Sequence, residues 1–351
     1  MSMLAGVVLP QSPADLVQIR LGRVRGAEWV WVSRGIHVRR EFESDLRSEL
    51  FGWQEALPED ACFTHLTGAL ARGWPVPPLP ADLPVFAAAS GRDVRPRRVG
   101  LSVTRHPHPV EFEVLDGLRV ARPAEILLSA AHDLGLLDVV VLVDVALHRH
   151  DCTLLELWAA ANRCRRGAPR LRMALRYADG RAESLWESVL RVLHQACDVP
   201  VEPQYVIPDD AGSFRADLRV VGTRRLVEYD GADHRSRERH GKDLTRKRAF
   251  HRLGWQRYGY TSPVLLYQGL AVLQDADEAL AREHDPARIR AWHQLLAESL
   301  FTPAGGARRQ ERWNAASGGQ TRQSTARKRP STSSGTASLR SISAAISTSV
   351  R

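Results

Sequence analysis

The sequence predicts a mixed α/β (α+β) protein in which a helical and mixed N-terminal region precedes a compact unit of helix, β-hairpin, helix and strand. Three observations carry this. Residues from Phe214 to His234, FRADLRVVGTRRLVEYDGADH, alternate with period two and fold back at Gly222-Thr223. An amphipathic run over Ser184 to Cys197 precedes them. A basic run ending at Gly254, then the strand-like WQRYGYT, follows. At 351 residues the chain has room for two domains and a sizeable core.

Taken in order, the first stretch to be read is Leu16 to Arg40, where a basic helical piece runs into a strand at Trp29–Val32. Ser33-Arg34-Gly35 turns, and Ile36-His37-Val38 continues extended. A short helix before a two-stranded wing would be the back half of a winged helix-turn-helix. Too few residues precede it for the front half, so an ordinary strand pair packing its tryptophans is the competing reading. Glu41 to Ala56 predicts a helix, and prolines at 58, 75, 77, 78 and 80 punctuate loops. Ala61 to Arg72 predicts a small helix. Leu83–Ala88, Arg98–Val103 and Val110–Val114 predict short strands. His106 and His108 in HPHP have metal-like spacing, but no second ligand cluster accompanies them, and a polar loop is the better reading.

Pro123 suits the first position of a helix whose buried stripe is Ala124, Ile126, Leu127, Leu128, Ala131 and Leu134, with Gly135 as its stop. Leu136 to His148 is apolar nearly all round, hence a buried helix, and Leu154 to Arg163 a third. Over Ser184 to Cys197, Leu185, Val189, Val192, Leu193 and Ala196 lie at helical spacing. Ser184-Leu185-Trp186-Glu187 fits the S-x-x-E capping box, with Glu187 bonding the Ser184 backbone N–H. The same carboxylate is also a candidate metal ligand or water positioner, and the sequence leaves both roles open.

A two-residue type II′ loop at Gly222-Thr223 sets the hairpin register. Val221 then faces Arg224, Arg219 faces Leu226, Asp217 faces Glu228 and Arg215 faces Asp230. One face carries Phe214, Ala216, Leu218, Val220, Val227 and Tyr229, and is fit for a core. The other gathers Asp217, Glu228 and Asp230. Two carboxylates directly opposite each other repel, so one must be protonated or a cation must sit between them. A hard divalent cation such as Mg²⁺ suits such oxygen donors. A solvated charged face relieved by Arg215 and Arg219 is the plain alternative. After the hairpin, Ser236 to Leu253 predicts a basic helix carrying Lys242, Arg246 and Lys247, next to the acidic strand. A solvated charged face is the plain reading of that helix; its place beside the acidic strand raises phosphate binding as the alternative, because a phosphodiester needs both a metal and cations at its oxygens. Trp255–Thr261 predicts a strand, and Asp275–Arg282 and Pro286–Leu300 predict helices.

From Thr302 the composition shifts to Ser, Thr, Gly, Ala and Arg, which predicts a disordered tail. The net charge of +9 is concentrated there, since residues 302–351 hold nine Lys or Arg against one Glu. The high pI therefore says little about the rest. Four cysteines without a C-x-x-C pair exclude zinc-knuckle spacing and suit a reducing cytoplasm. The opening MSMLAGVVLPQSPA lacks a basic n-region, and no apolar run is long enough to span a bilayer. A cytoplasmic protein with no membrane partner and no small-molecule cofactor is expected.

Glu187, Asp217, then Glu228-Tyr229-Asp230-Gly231 and His234 follow the order helix-E, strand-D, strand-ExD-G, H. This resembles the very-short-patch-repair-like branch of the PD-(D/E)xK restriction-endonuclease superfamily, over roughly Glu183 to Leu266. The likeness continues in Asp243-Leu244-Thr245-Arg246 and Leu253-Gly254-Trp255. Residues Ala61 to Ala178, especially ARPAEILLSAAHDLGLLDVVVLVDVALHR, are similar to the AbiEi-type abortive-infection antitoxin and regulator family. The resemblances divide the chain into a truncated winged-helix-like segment (1–60), an antitoxin-like α+β/helical domain (61–178), a restriction-endonuclease-fold domain (183–300) and a tail (302–351).

What the resemblance implies is a Mg²⁺-dependent DNA endonuclease acting in phage defence or DNA repair. Asp217 and Glu228 would bind metal, with Glu187 or Asp230 completing the site. His234 would position water or relay a proton; Lys242, Arg246 and Lys247 would hold phosphate. Asp230 stands where the superfamily's usual motif has lysine. Gly259 stands where the family often has a basic residue, with Arg257 as its substitute two residues earlier. The alternative is an antitoxin-type, DNA-binding regulator that keeps an inactive nuclease fold and binds a cognate toxin.

Overall fold

The computed structural model describes residues 19–42, 45–91, 98–209, 212–231, 250 and 252–317. They fall into two compact units. One takes the chain up to Arg72, Ala81–Arg122 and the stretch from Trp313; the other takes Gly73–Pro80 and Pro123–Arg312. The segment 61–178 contributes to both.

The first unit opens with a three-stranded antiparallel sheet, β1 (Ile19–Leu21), β2 (Trp29–Ser33) and β3 (Ile36–Arg39), in the order β1-β3-β2. Ile19–Leu21 is thus a strand, where the sequence suggested helix. It is held on the edge of β3 by its ladder and by the Gly22 N–H donating to Gly35 O at 2.8 Å. Helix α1 (Leu46–Gln54) starts later than the expected Glu41. The Asp45 carboxylate accepts from the Arg47 and Ser48 N–H groups and fixes the first turn there. Buried Leu50 and Phe51 of α1 and Ile36 and Val38 of β3 belong to the core of this unit.

The same unit holds a five-stranded mixed sheet, β6-β5-β4-β8-β7. Its elements are β4 (Cys62–Phe63), α2 (His65–Ala71), β5 (Val85–Ser90), β6 (Leu101–His106), β7 (Phe112–Leu115) and β8 (Leu118–Ala121). The expected helix from Ala61 therefore begins as strand. Strand β8 follows a two-residue Asp116-Gly117 turn with φ of 47° and 89°, closed by the Leu115–Leu118 pair. This Asp-Gly hairpin signal was present in the sequence and was missed there.

In the second unit, α3 (Pro123–Ala130), α4 (Leu136–His148), α5 (Leu154–Ala161) and α6 (Ala168–Tyr177) form a helical layer. Gly135, expected to stop α3, is the residue before α4; α3 ends at Ala130. Helix α4 is buried on nearly every side. It is tied to α7 (Leu185–Ala196) by Asp144 and Arg191, both 1 % exposed, while the Asp179 N–H donates to Asp144 Oδ1 at 2.7 Å. Near its start, the buried Asp138 accepts from Ser299 Oγ at 2.6 Å and from the Leu300 N–H.

Helix α7 packs on a four-stranded sheet of β9 (Val201–Asp209), β10 (Gly212–Val220), β11 (Arg225–Tyr229) and β12 (Gln256–Tyr260). The order is β12-β11-β10-β9. The first three strands meander antiparallel, and β12 lies parallel to β11. Strand β9 was not expected, because Pro203 and Pro208 argue against a central strand. Both are tolerated because β9 is an edge. Beyond the sheet come α8 (Ser262–Tyr267), α9 (Gly269–Ala279), a 3₁₀ turn at Pro286–Arg288, α10 (Ile289–Ala297) and α11 (Pro303–Ser317). The helix expected over Asp275–Arg282 is the end of α9. There the buried Asp277 accepts from Arg282, His284 and Arg288 and draws the following turn together. The expected disorder from Thr302 gives way to α11, whose Gly305, Arg309 and Trp313 are buried at every fourth position. A stripe made of glycine, arginine and tryptophan carries no aliphatic signal. Residues 318–351 lie outside the described ones. No described helix is long and apolar enough to cross a membrane.

Candidate functional site

The site is built on β10 and β11. Arg219 pairs with Leu226 and Leu218 with Val227, the register expected from the sequence. The turn that sets it is different. Thr223 N–H donates to Val220 O at 3.2 Å, so Val220–Thr223 form a β-turn with Gly222 third, at φ +80°. That position requires glycine in a type II turn. Thr223 then extends the turn: its hydroxyl donates to Val220 O and accepts from the Arg225 N–H. A four-residue connection thus replaces the two-residue type II′ loop without shifting the ladder.

The expected single apolar face is also divided. Ala216 clusters with Ile207, Leu226 and Phe250, and Phe214 packs against the same group. Leu226 is the partner of Arg219, so strict alternation would place it on the face opposite Ala216. The alternation breaks where the β9–β10 ladder skips the Gln204/Asp217 position. Gln204 has φ +54°, a left-handed conformation that costs a non-glycine residue about 1 kcal/mol or more.

Around this break the carboxylates are placed. Asp217 Oδ2 accepts from the Tyr229 N–H at 2.8 Å, so its side chain binds the β11 backbone where the β10–β11 ladder ends. Glu228 is 3 % exposed and takes a hydrogen bond from Arg257 Nε. Arg257 Nη2 donates to Asp230 Oδ1 at 2.7 Å. The ladder stops at Leu218–Val227 and does not include the expected Asp217–Glu228 pair; Asp217 is held by a backbone N–H and Glu228 by a guanidinium. The parallel register does this: Leu226 pairs with Arg257 and Glu228 with Gly259. Gly259 has no side chain for a reason. A Cβ there would lie 1.8 Å from Asp230 Oδ2. The absent basic residue at 259 and the substitute at 257 are thus one arrangement, with the carboxylate over the glycine and the cation two residues back.

Glu187 lies at the start of α7. Ser184 caps that helix through its hydroxyl, which accepts from the Glu187 N–H at 3.2 Å. The Glu187 carboxylate accepts from the Glu183 N–H at 2.9 Å rather than from the Ser184 N–H of the expected capping box, and from the Ser184 hydroxyl at 2.8 Å. Its Oε2 also accepts from Gln204 Nε2 at 2.8 Å. Burial raises its pKa, opposed by the Glu183 N–H and Ser184 hydrogen bonds. Glu187 thus both caps its helix and reaches β9 at the strained residue, which sits across from Asp217. Gln204 was missed in the sequence. Lying in a proline-interrupted strand, it carried no periodic signal.

Glu187, Asp217, Glu228, Asp230 and Arg257 are thus placed on α7, β10, the end of β11 and β12 of one unit. His234, Lys242, Arg246 and Lys247 lie outside the described residues. The oxygen donors have the chemistry for a hard dication. Among the described residues no three His, Cys, Asp or Glu side chains are grouped to hold a metal ion, His106 and His108 included. As it stands, the cation between Glu228 and Asp230 is Arg257.

Compared with known proteins, the chain is 31% identical over 146 residues to uncharacterized proteins MT2308 and Rv2248 of Mycobacterium tuberculosis, strains CDC 1551 and H37Rv. The match covers 40% of this chain and 54% of each relative, so the chain spans about half the length of the curated relatives it matches. No family model and no solved structure matches it.

Proposed function

We propose that the second unit is a Mg²⁺-dependent DNA endonuclease-like domain that hydrolyses phosphodiester bonds in the cytoplasm. The observation that carries this reading is the placement of three carboxylates on adjacent strands of a mixed sheet backed by α7: Arg257 bridges Glu228 and Asp230, and Asp217 is held by the Tyr229 N–H of the same strand end. A partly buried carboxylate pair bridged by one guanidinium is weak evidence for a purely stabilising role, and its oxygens are donors that a cation can take. In this reading Asp217 and Glu228 are the ligands for the ion, with Asp230 beside them. Glu187 acts at one remove, holding Gln204 and so the backbone opposite Asp217. His234 positions water, and Lys242, Arg246 and Lys247 contact phosphate. Arg257 must leave Glu228 when an ion enters.

A supercoiled-plasmid nicking assay with Mg²⁺ or EDTA tests it. Asp217→Asn keeps an oxygen to accept from the Tyr229 N–H, so the fold should survive by circular dichroism while Mg²⁺-dependent nicking is lost. An active variant sinks the assignment.

One observation favours a second reading. Arg257 already bridges Glu228 and Asp230, as a permanent counter-ion would in an antitoxin-type regulator that keeps an inactive nuclease-like fold. DNA binding in EDTA without cleavage in Mg²⁺, together with co-purification of a cognate toxin, would select it.

A further inference from the structure

We infer that the outer face of the sheet β1-β3-β2 binds single-stranded nucleic acid, with Trp31 as a base-stacking platform and Arg20 and Arg39 as phosphate contacts. The register builds this face. Arg20 and Trp31 both pair with His37, so Arg20, His37 and Trp31 form one row across three strands. Trp29 and Arg39 pair in the next row. The opposite face is committed to the core, with Ile36 1 % and Val38 2 % exposed and α1 against them at Gly52.

On the outer face, Trp31 is 58 % exposed. Trp29 is buried, with the Arg20 guanidinium 4.8 Å and that of Arg39 5.8 Å from its ring centre. Two guanidinium groups within about 6 Å of one ring are at cation–π distance from it, and their planar N–H donors suit phosphate oxygens. Two polar atoms in these rows, His37 Nδ1 and Arg39 Nε, are buried with no hydrogen-bond partner among the described residues. Buried polar atoms without partners are uncommon, and they mark this row as polar beneath its exposed tryptophan. Residues 19–42 carry six arginines against two glutamates, so the complement is an anion. An exposed indole in a row with an imidazole calls for an anion that also has flat π faces. Unpaired bases offer these; a duplex hides them in its stack. The inference rests on the first unit alone and stands whether or not the second unit cleaves DNA.

Fluorescence anisotropy tests it on the full chain in EDTA, with labelled oligo-dT and a labelled duplex of equal length, at moderate salt. Arginines elsewhere attract any polyanion, so the difference between the two probes is the readout. Trp31→Ala is expected to weaken oligo-dT binding about tenfold, the loss of one stacked base, and to change duplex binding by less than about twofold. Trp31→Phe, which keeps a ring and gives a second variant should the alanine form misfold, is expected to retain most of the affinity. Unchanged oligo-dT binding in Trp31→Ala, an equal loss on both probes, or competition by poly-glutamate as effective as by oligo-dT would each overturn the inference.

Discussion

Replacing Arg257 by glutamine tests the centre of the candidate site. Glu228 is 3 % exposed, and the guanidinium that faces it is about a quarter exposed, with 27 % of the side chain open to solvent. Removing one partner of a buried ion pair costs about 3–5 kcal/mol, because the remaining charge is left in a poor solvent. The second arm of the bridge adds little. Asp230 is 44 % exposed, and a pair so open to water contributes about 1 kcal/mol at most. The expected loss is therefore near the low end, about 3 kcal/mol. The same substitution opens the carboxylates to another cation. If they bind Mg²⁺ with a dissociation constant of about 1 mM, about 10 mM of the ion returns roughly 1.4 kcal/mol by linkage. Urea unfolding followed by tryptophan fluorescence, with Mg²⁺ and with Na⁺ at matched ionic strength, measures both effects. The reasoning fails if Arg257→Gln is as stable as the parent, or if Mg²⁺ stabilises parent and variant equally.

Other outcomes follow from the same geometry. In Gly259→Ala the new Cβ must push the Asp230 carboxylate off Arg257, at a cost of about 1–3 kcal/mol, and the double variant with Asp230→Ala should regain most of that loss in a melting experiment. Asp138 is buried, and desolvation pushes its pKa from 3.8 up to about 6 against the hydrogen bonds from Ser299 and Leu300. The native state therefore holds this proton where the unfolded state has released it, so stability falls as pH rises from about 4 to 6 and stays lower above. Asp138→Asn keeps acceptor and donor groups without the charge. It should flatten that slope and exceed the parent above pH 6 by up to about 3 kcal/mol, read from denaturation midpoints across pH.

Much of the second unit was legible because its signals are local. Ser184 before a stripe of Val189, Val192 and Leu193 is enough to start and orient α7. Alternation around Gly222 is enough to set Arg219 against Leu226, even with the turn type mistaken. What failed locally failed for identifiable reasons. Pro203 and Pro208 concealed an edge strand, and the buried stripe of α11 is written in glycine, arginine and tryptophan rather than in leucine.

The order of residues by itself determined which acidic side chains share a ribbon, since period-two alternation around Gly222 places both strands of the hairpin without reference to any other part of the chain. It could not determine what each carboxylate would meet. That was decided by a parallel strand about thirty residues later in the chain, which brings Arg257 to Glu228 and Asp230 and leaves room for the latter only because residue 259 is glycine. It was decided too by a left-handed residue at Gln204, which turns half of the apolar face over and hands its amide to Glu187. Long-range pairing and backbone strain depend on the balance of the whole fold, and no window of neighbouring residues contains that balance.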